Sequence, residues 1–217
     1  MSYSSLWVMD KEYKGYPDVD FSNSWFFSPI VWDVILDKYL PHRKLVLIGG
    51  ETAGFMSSVM SDNKLNSDLN KELNNSDTFS DRILWEMSNQ QIFFTKDKKT
   101  VADAIRKFLT DNVEYEKSRE DGISVLQREH IIERFNEIAN SIEELDENEY
   151  PYFIFKNTSC DDNVEYWFSK RNEETDEYET ASLKELDKYV SEFVVIDGNK
   201  INFIDNLEYF KSESEEI

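Results

Sequence analysis

One cysteine, two histidines and no long apolar run leave several classes of function without their essential residues. A lone Cys160 excludes intramolecular disulfides and fits a reducing compartment. Its neighbours Asp161 and Asp162 disfavour the thiolate that a nucleophile needs. With only His42 and His130, Cys-His and Ser-His triads have few available members. No apolar stretch approaches the roughly 18 residues of a membrane span. The opening MSYSSLWVMDKEYKG has no basic n-region, apolar h-region or small-residue cleavage site, so no secretory signal is read there and a cytoplasmic location is expected.

Positive charge is also scarce. Lys and Arg number 24 against 45 Asp and Glu, a net charge of −21. Such a surface is repelled by anionic membranes and by nucleic acid, which points to a basic protein as the electrostatic partner. The deficit is uneven. Residues 1–110 hold 13 Lys and Arg against 15 Asp and Glu, whereas residues 111–217 hold 11 against 30. Concentrated like charge costs stability through self-repulsion, so it calls for a reason beyond solubility. The chain is nonetheless 40% hydrophobic and 14% aromatic, a composition that excludes acidic disorder and supplies a core.

The pattern of segments predicts an α+β fold. Ser5–Met9 reads as a strand, and Ser28-Pro29 opens a buried helix that ends before Pro41. Lys44–Ile48 (KLVLI) reads as a strand leading into Gly49-Gly50. Residues 61–80 read as a surface excursion, with Leu65, Leu69 and Leu73 spaced for one short helix. Asp81–Asn89 is a helix, Gln91–Thr95 a strand, and Thr100 with Asp103 a capping box for the next helix. A polar stretch, Glu114–Gly122, marks the boundary between a mixed α/β platform (1–117) and an acidic unit (118–217) of one long helix and a small antiparallel sheet; the two halves are equally compatible with one continuous domain. The long helix spans about Ser124–Leu145, with Ile131, Phe135, Ile138 and Ile142 on one face. Strands at Pro151–Asn157 and Asn163–Lys170 suggest a hairpin. A helix follows from Ser182 to Val190, then a second hairpin of Glu192–Asp197 and Lys200–Ile204 around Gly198-Asn199. The tail from Ser212 reads as frayed.

No motif carries catalysis. Gly49-Gly50-Glu51-Thr52-Ala53-Gly54 sits where a phosphate loop would, but lacks the Gly-Lys-Ser/Thr ending and reads as a tight turn. His130 has Glu129 and Glu133 beside it, too few ligands for a metal. Asp161-Asp162-Asn163 and Asp146–Glu149 do not match a calcium loop. Trp25, Phe26, Phe27 and Trp32 read as core. No cofactor, metal or catalytic residue is assigned.

The acidic runs of the second half are interleaved with aromatics. Glu143, Glu144, Asp146, Glu147, Glu149 and Tyr150 form one group. Asp161, Asp162, Tyr166 and Trp167 form a second, and Glu173, Glu174, Asp176, Glu177 and Tyr178 a third. Aromatics supply contact area and carboxylates supply steering, the combination that captures a basic protein. The expected function is a non-catalytic inhibitor of a basic protein, with the character of a bacterial immunity protein or antitoxin that covers a nuclease-type toxin. One alternative is a phage-encoded nucleic-acid mimic directed at a host defence protein. Another is an enzyme holding a phosphorylated ligand at the Gly49–Gly54 turn, assisted by Arg43, Lys44 or Lys96.

Overall fold

Strict side-chain alternation on the first strand sets the architecture. On β1 (Tyr3–Met9), Leu6 and Val8 enter one apolar core while Trp7 and Met9 enter another. A strand buried on both faces requires cover on both faces. The computed structural model describes residues 3–22, 27–41, 47–48, 51–52, 63–118, 120–157 and 164–215. Within them β1 pairs with β2 (Gly15–Ser22) and with β6 (Tyr152–Lys156). β6 in turn pairs with β5 (Ile92–Phe94). The sheet continues through β9 (Glu192–Asp197) to β10 (Lys200–Asp205). The order is β10-β9-β5-β6-β1-β2, antiparallel except for the parallel β5–β9 pair. Strands from both halves of the chain therefore share one sheet. β3 (Leu47–Ile48) and β4 (Glu51–Thr52) form a separate short ladder.

Helices cover one face. α1 (Ser28–Tyr39) carries Pro29 in its first turn and buries Ile30, Val31, Val34, Ile35 and Leu36. α2 (Asn63–Asn74) buries Leu69 and Leu73, and α3 (Phe79–Ser88) buries Ile83, Leu84 and Met87. α4 (Lys98–Asp111) and α5 (Glu129–Glu144) complete the layer. Phe27, Phe135 and Phe155 meet in its centre, with ring centroids 4.7 and 4.9 Å apart. Each such buried ring contributes about 1.5–3 kcal/mol. One charged network lies inside this layer. The Lys38 ammonium donates to Asp81 Oδ2 (2.6 Å) and Asn112 Oδ1 (2.9 Å), Asn112 Nδ2 donates to Asp81 Oδ1 (2.9 Å), and Tyr39 donates to Asp81 Oδ2 (2.7 Å). It ties α1, α3 and α4 together around a carboxylate that is fully buried.

The opposite face is covered by shorter pieces. α6 (Val164–Trp167) leads into β7 (Ser169–Arg171), which pairs with β8 (Tyr178–Thr180). α7 (Asn206–Glu215) lies against the sheet through Tyr209 and Phe210. A phenol chain fastens it there: Tyr13 donates to Glu213, Tyr152 donates to Tyr13 (3.2 Å), and Tyr152 and Tyr209 share a hydrogen bond (3.0 Å). Burial and the Glu213 carboxylate push the Tyr13 phenol far above its usual range.

The architecture is α+β. The Glu192–Asp197 and Lys200–Asp205 hairpin forms as expected, turning at Gly198 with φ of 58°. Several local expectations change. β2 was not anticipated. β6 does not form a hairpin with the next segment but inserts between β1 and β5, and the expected strand at 163–170 is α6 followed by β7. The 182–190 helix is one 3₁₀ turn, Leu183–Glu185, capped by Ser182. Ser124 caps a 3₁₀ turn, Val125–Gln127, rather than the long helix, which starts at Glu129. Thr100 lies inside the first turn of α4, because a 3₁₀ turn at Thr95–Asp97 starts the helix earlier. The tail is helical through Glu215. The Gly49–Gly50 and Ala53–Gly54 positions, with His42, Arg43, Lys44, Trp25, Phe26 and Cys160, lie outside the described residues.

Candidate partner-binding site

β1 turns into β2 through Asp10, whose carboxylate accepts from the backbone N–H groups of Glu12 (2.8 Å) and Lys14 (3.0 Å). That turn delivers Gly15, Tyr16 and Pro17 to the wall of a groove of about 530 Å³. The facing wall comes from α6 and the β7–β8 hairpin, which contribute Tyr166, Tyr178, Glu165 and Glu179. Trp7 and Phe168 form the floor, stacked with centroids 5.7 Å apart and only 9% and 3% exposed. The Phe168 ring lies against Gly15, where any Cβ would overlap it.

The tyrosines are the unusual element. Tyr16, Tyr166 and Tyr178 are 37%, 62% and 67% exposed, three of the six large apolar side chains exposed among the described residues. All three line the one groove. Tyr16 donates to Asp10 Oδ2 (3.2 Å), and its ring lies 6.3 Å from Tyr150. Partial burial, then the Asp10 carboxylate, raise the Tyr16 phenol above its usual range. Tyr150 donates to Glu149, which raises the Tyr150 phenol. Burial raises the carboxyl of Asp18. Tyr150 thus connects the acidic turn at Asp146–Glu149 to the groove.

Of the expected site residues, the fold unites Tyr166 and Tyr178 in the groove and joins Tyr150 to it through Tyr16. Glu173, Glu174 and Glu177 are exposed on the loop between β7 and β8. Asn172 Oδ1 organises that loop by accepting from the backbone of Glu174 (2.9 Å) and Thr175 (3.3 Å), and Asp176, with φ of 63°, pairs with Arg171. Glu144, Glu147 and Glu149 are exposed, and Asp146 is held below the usual carboxylate range, chiefly by the Asn148 N–H. Glu143 is engaged with Arg106 across α4 and α5 (2.7 Å). Trp167 is part-buried against the second core. Asp161 and Asp162 lie outside the described residues.

Known proteins offer no match to this chain. No family model, no curated protein and no solved structure is similar to it.

A second, polar cavity of about 370 Å³ opens beside α3, where Glu86 and Glu192 share the lining with Asn74 and Asn89. Burial, then the Glu192 charge, push Glu86 up to about 8, with Arg82 opposing. Burial also raises Glu192. Among the described residues no three His, Cys, Asp or Glu side chains are grouped to hold a metal, and no helix is long and apolar enough to cross a membrane. Sequence reasoning missed Tyr16, Glu165, Glu179 and Trp7 as groove residues. The available signal was the polar alternation of Gly15–Ser22 after a two-sided apolar strand, which marks an edge strand with one covered face.

Proposed function

We propose that this chain is a non-catalytic binding protein that captures a basic protein partner through its aromatic and acidic face. In its sharpest form it is an immunity protein or antitoxin that covers a nuclease-type toxin. The supporting observation is the convergence of Tyr16, Tyr166 and Tyr178 on one groove beside Glu165 and Glu179, with the acidic β7–β8 loop and the Asp146–Glu149 turn adjoining. A nuclease is basic where it grips phosphates, so an acidic, aromatic face is complementary to it. The test is capture of partners from the source organism at low salt, followed by elution at high salt. A basic protein retained at about 0.05 M and released near 0.5 M salt is the expected result. Retention of none, or retention indifferent to salt, overturns the proposal. Reversal of Glu173, Glu174, Asp176 and Glu177 to Lys should slow association; an unchanged on-rate removes that loop from the interface.

A further inference from the structure

We propose that the groove between β2 and the β7–β8 hairpin receives an arginine side chain of a basic polypeptide, stacked among the tyrosines with its guanidinium at the Glu179 carboxylate. This inference rests on the reading of this face as the site for a basic partner, and it names the anchor. The groove is an open cleft of about 530 Å³, large enough to take one side chain laid along it. Exposed phenol rings on both walls offer π-faces to a flat cation.

Charge selects the same occupant. Among the described residues, four cations of the elements that build the groove are already in ion pairs: Lys156 with Glu165, Lys170 with Glu185 (3.3 Å), Lys14 with Glu12 (2.7 Å) and Arg171 with Asp176. Among the described residues Glu179 accepts from the neutral amide of Asn172 (2.6 Å) and from no cation, and Asp10, Asp18 and Glu149 stand behind Tyr16 and Tyr150, so the local field is negative. Arginine fits better than lysine because its guanidinium is planar and weakly hydrated, stacks on rings and meets carboxylates through two parallel hydrogen bonds.

The floor supplies a reporter. Trp7 lines the groove, and its buried indole Nε1 has no hydrogen-bond partner among the described residues, so a change at the ring on binding is read in its N–H signal.

The test uses the full chain with ring-labelled tyrosine and labelled indole nitrogen, titrated by NMR with acetyl-Gly-Arg-Gly-amide and its citrulline counterpart. The arginine peptide should shift the Tyr16, Tyr166 and Tyr178 rings and the Trp7 N–H in a saturable way. The neutral citrulline peptide should bind at least tenfold more weakly. The exposed-site variant Tyr166→Ala/Tyr178→Ala, read the same way, should lose at least tenfold in affinity. Equal binding of the citrulline peptide, shifts confined to other residues, full affinity in the double variant, or no saturable shift up to roughly 10 mM would each overturn the arginine socket. Capture of a basic protein whose affinity ignores Tyr166→Ala/Tyr178→Ala overturns the socket while leaving the basic-partner reading intact. Arginine-peptide binding at the groove without capture of any basic protein has the reverse meaning.

Discussion

Gly15→Ala tests the floor of the groove directly. Three carbons of the Phe168 ring lie within 2.5 Å of where the new Cβ would sit, against 3.4–4 Å for an ordinary contact. The ring must therefore withdraw by roughly 1 Å. It is poorly placed to do so: Phe168 is 3% exposed and stacked on Trp7 at an interplanar angle of 16°. Overpacking of this kind costs about 1–3 kcal/mol. Replacing glycine within a strand returns about 0.5–1 kcal/mol through reduced chain entropy. The expected net loss is about 1–2 kcal/mol, read as a lower urea midpoint at unchanged m-value. Phe168→Leu in the same background should relieve the clash, so the double variant loses less than the two single losses combined, by more than about 0.5 kcal/mol. A neutral or stabilising Gly15→Ala, or strict additivity with Phe168→Leu, would refute the close approach of ring and backbone and with it the geometry of the groove floor.

Two further perturbations probe the other charged sites. Asp81→Ala strands the Lys38 ammonium, whose side chain is 17% exposed, and should cost about 3–5 kcal/mol by urea unfolding; adding Lys38→Met should recover part of that loss, and a cost below about 1 kcal/mol for Asp81→Ala would show the network to be dispensable. Glu86 is raised to about 8 from 4.5, so its charging is easier in the unfolded chain than in the folded one. The penalty is absent below pH 4.5, grows as pH rises and is complete above about 8, with a ceiling of about 5 kcal/mol. Glu86→Gln should match the parent near pH 4 and become progressively more stable than it up to pH 9; a difference that stays flat with pH would mean that Glu86 ionises freely in the fold.

The apolar periods were legible wherever a single element owned its own pattern. Ile131, Phe135, Ile138 and Ile142 are all buried on α5, whereas residues 61–80, which read as a surface excursion, contribute α2, whose Leu69 and Leu73 are buried in the main core. The Gly198-Asn199 hairpin followed from turn chemistry alone. What the pattern could not reveal was pairing over long separation. YFIFK reads equally well as half of a hairpin or as a central strand, and only its two-sided burial, with Tyr152 and Ile154 on one core and Phe153 and Phe155 on the other, distinguishes them. The same limit hid the groove. Tyr166 and Tyr178 stood out as aromatics among carboxylates, but Tyr16 reaches them only because β2 lies at the edge beside β1, some 150 residues earlier in the chain. Charge near a residue was legible; which carboxylates were already engaged, as Glu143 is by Arg106, was not.

The position of β6 has a consequence for the order of events during synthesis. Of the strands before residue 118, β1 and β2 can pair as they emerge, but β5 has no neighbour until β6 arrives from residues 152–156 and β9 from residues 192–197. The ribosome thus releases most of the helical layer before the sheet it covers can close, and Phe93 and Ile92 must wait with both flanks of their backbone open. Long-range closure of this kind is slow and leaves strand edges exposed meanwhile. Residues 1–110 carry 13 Lys and Arg against 15 Asp and Glu, so while β5 waits the emerging chain has little net charge to hold unfinished copies apart, and repulsion grows only as the acidic second half follows.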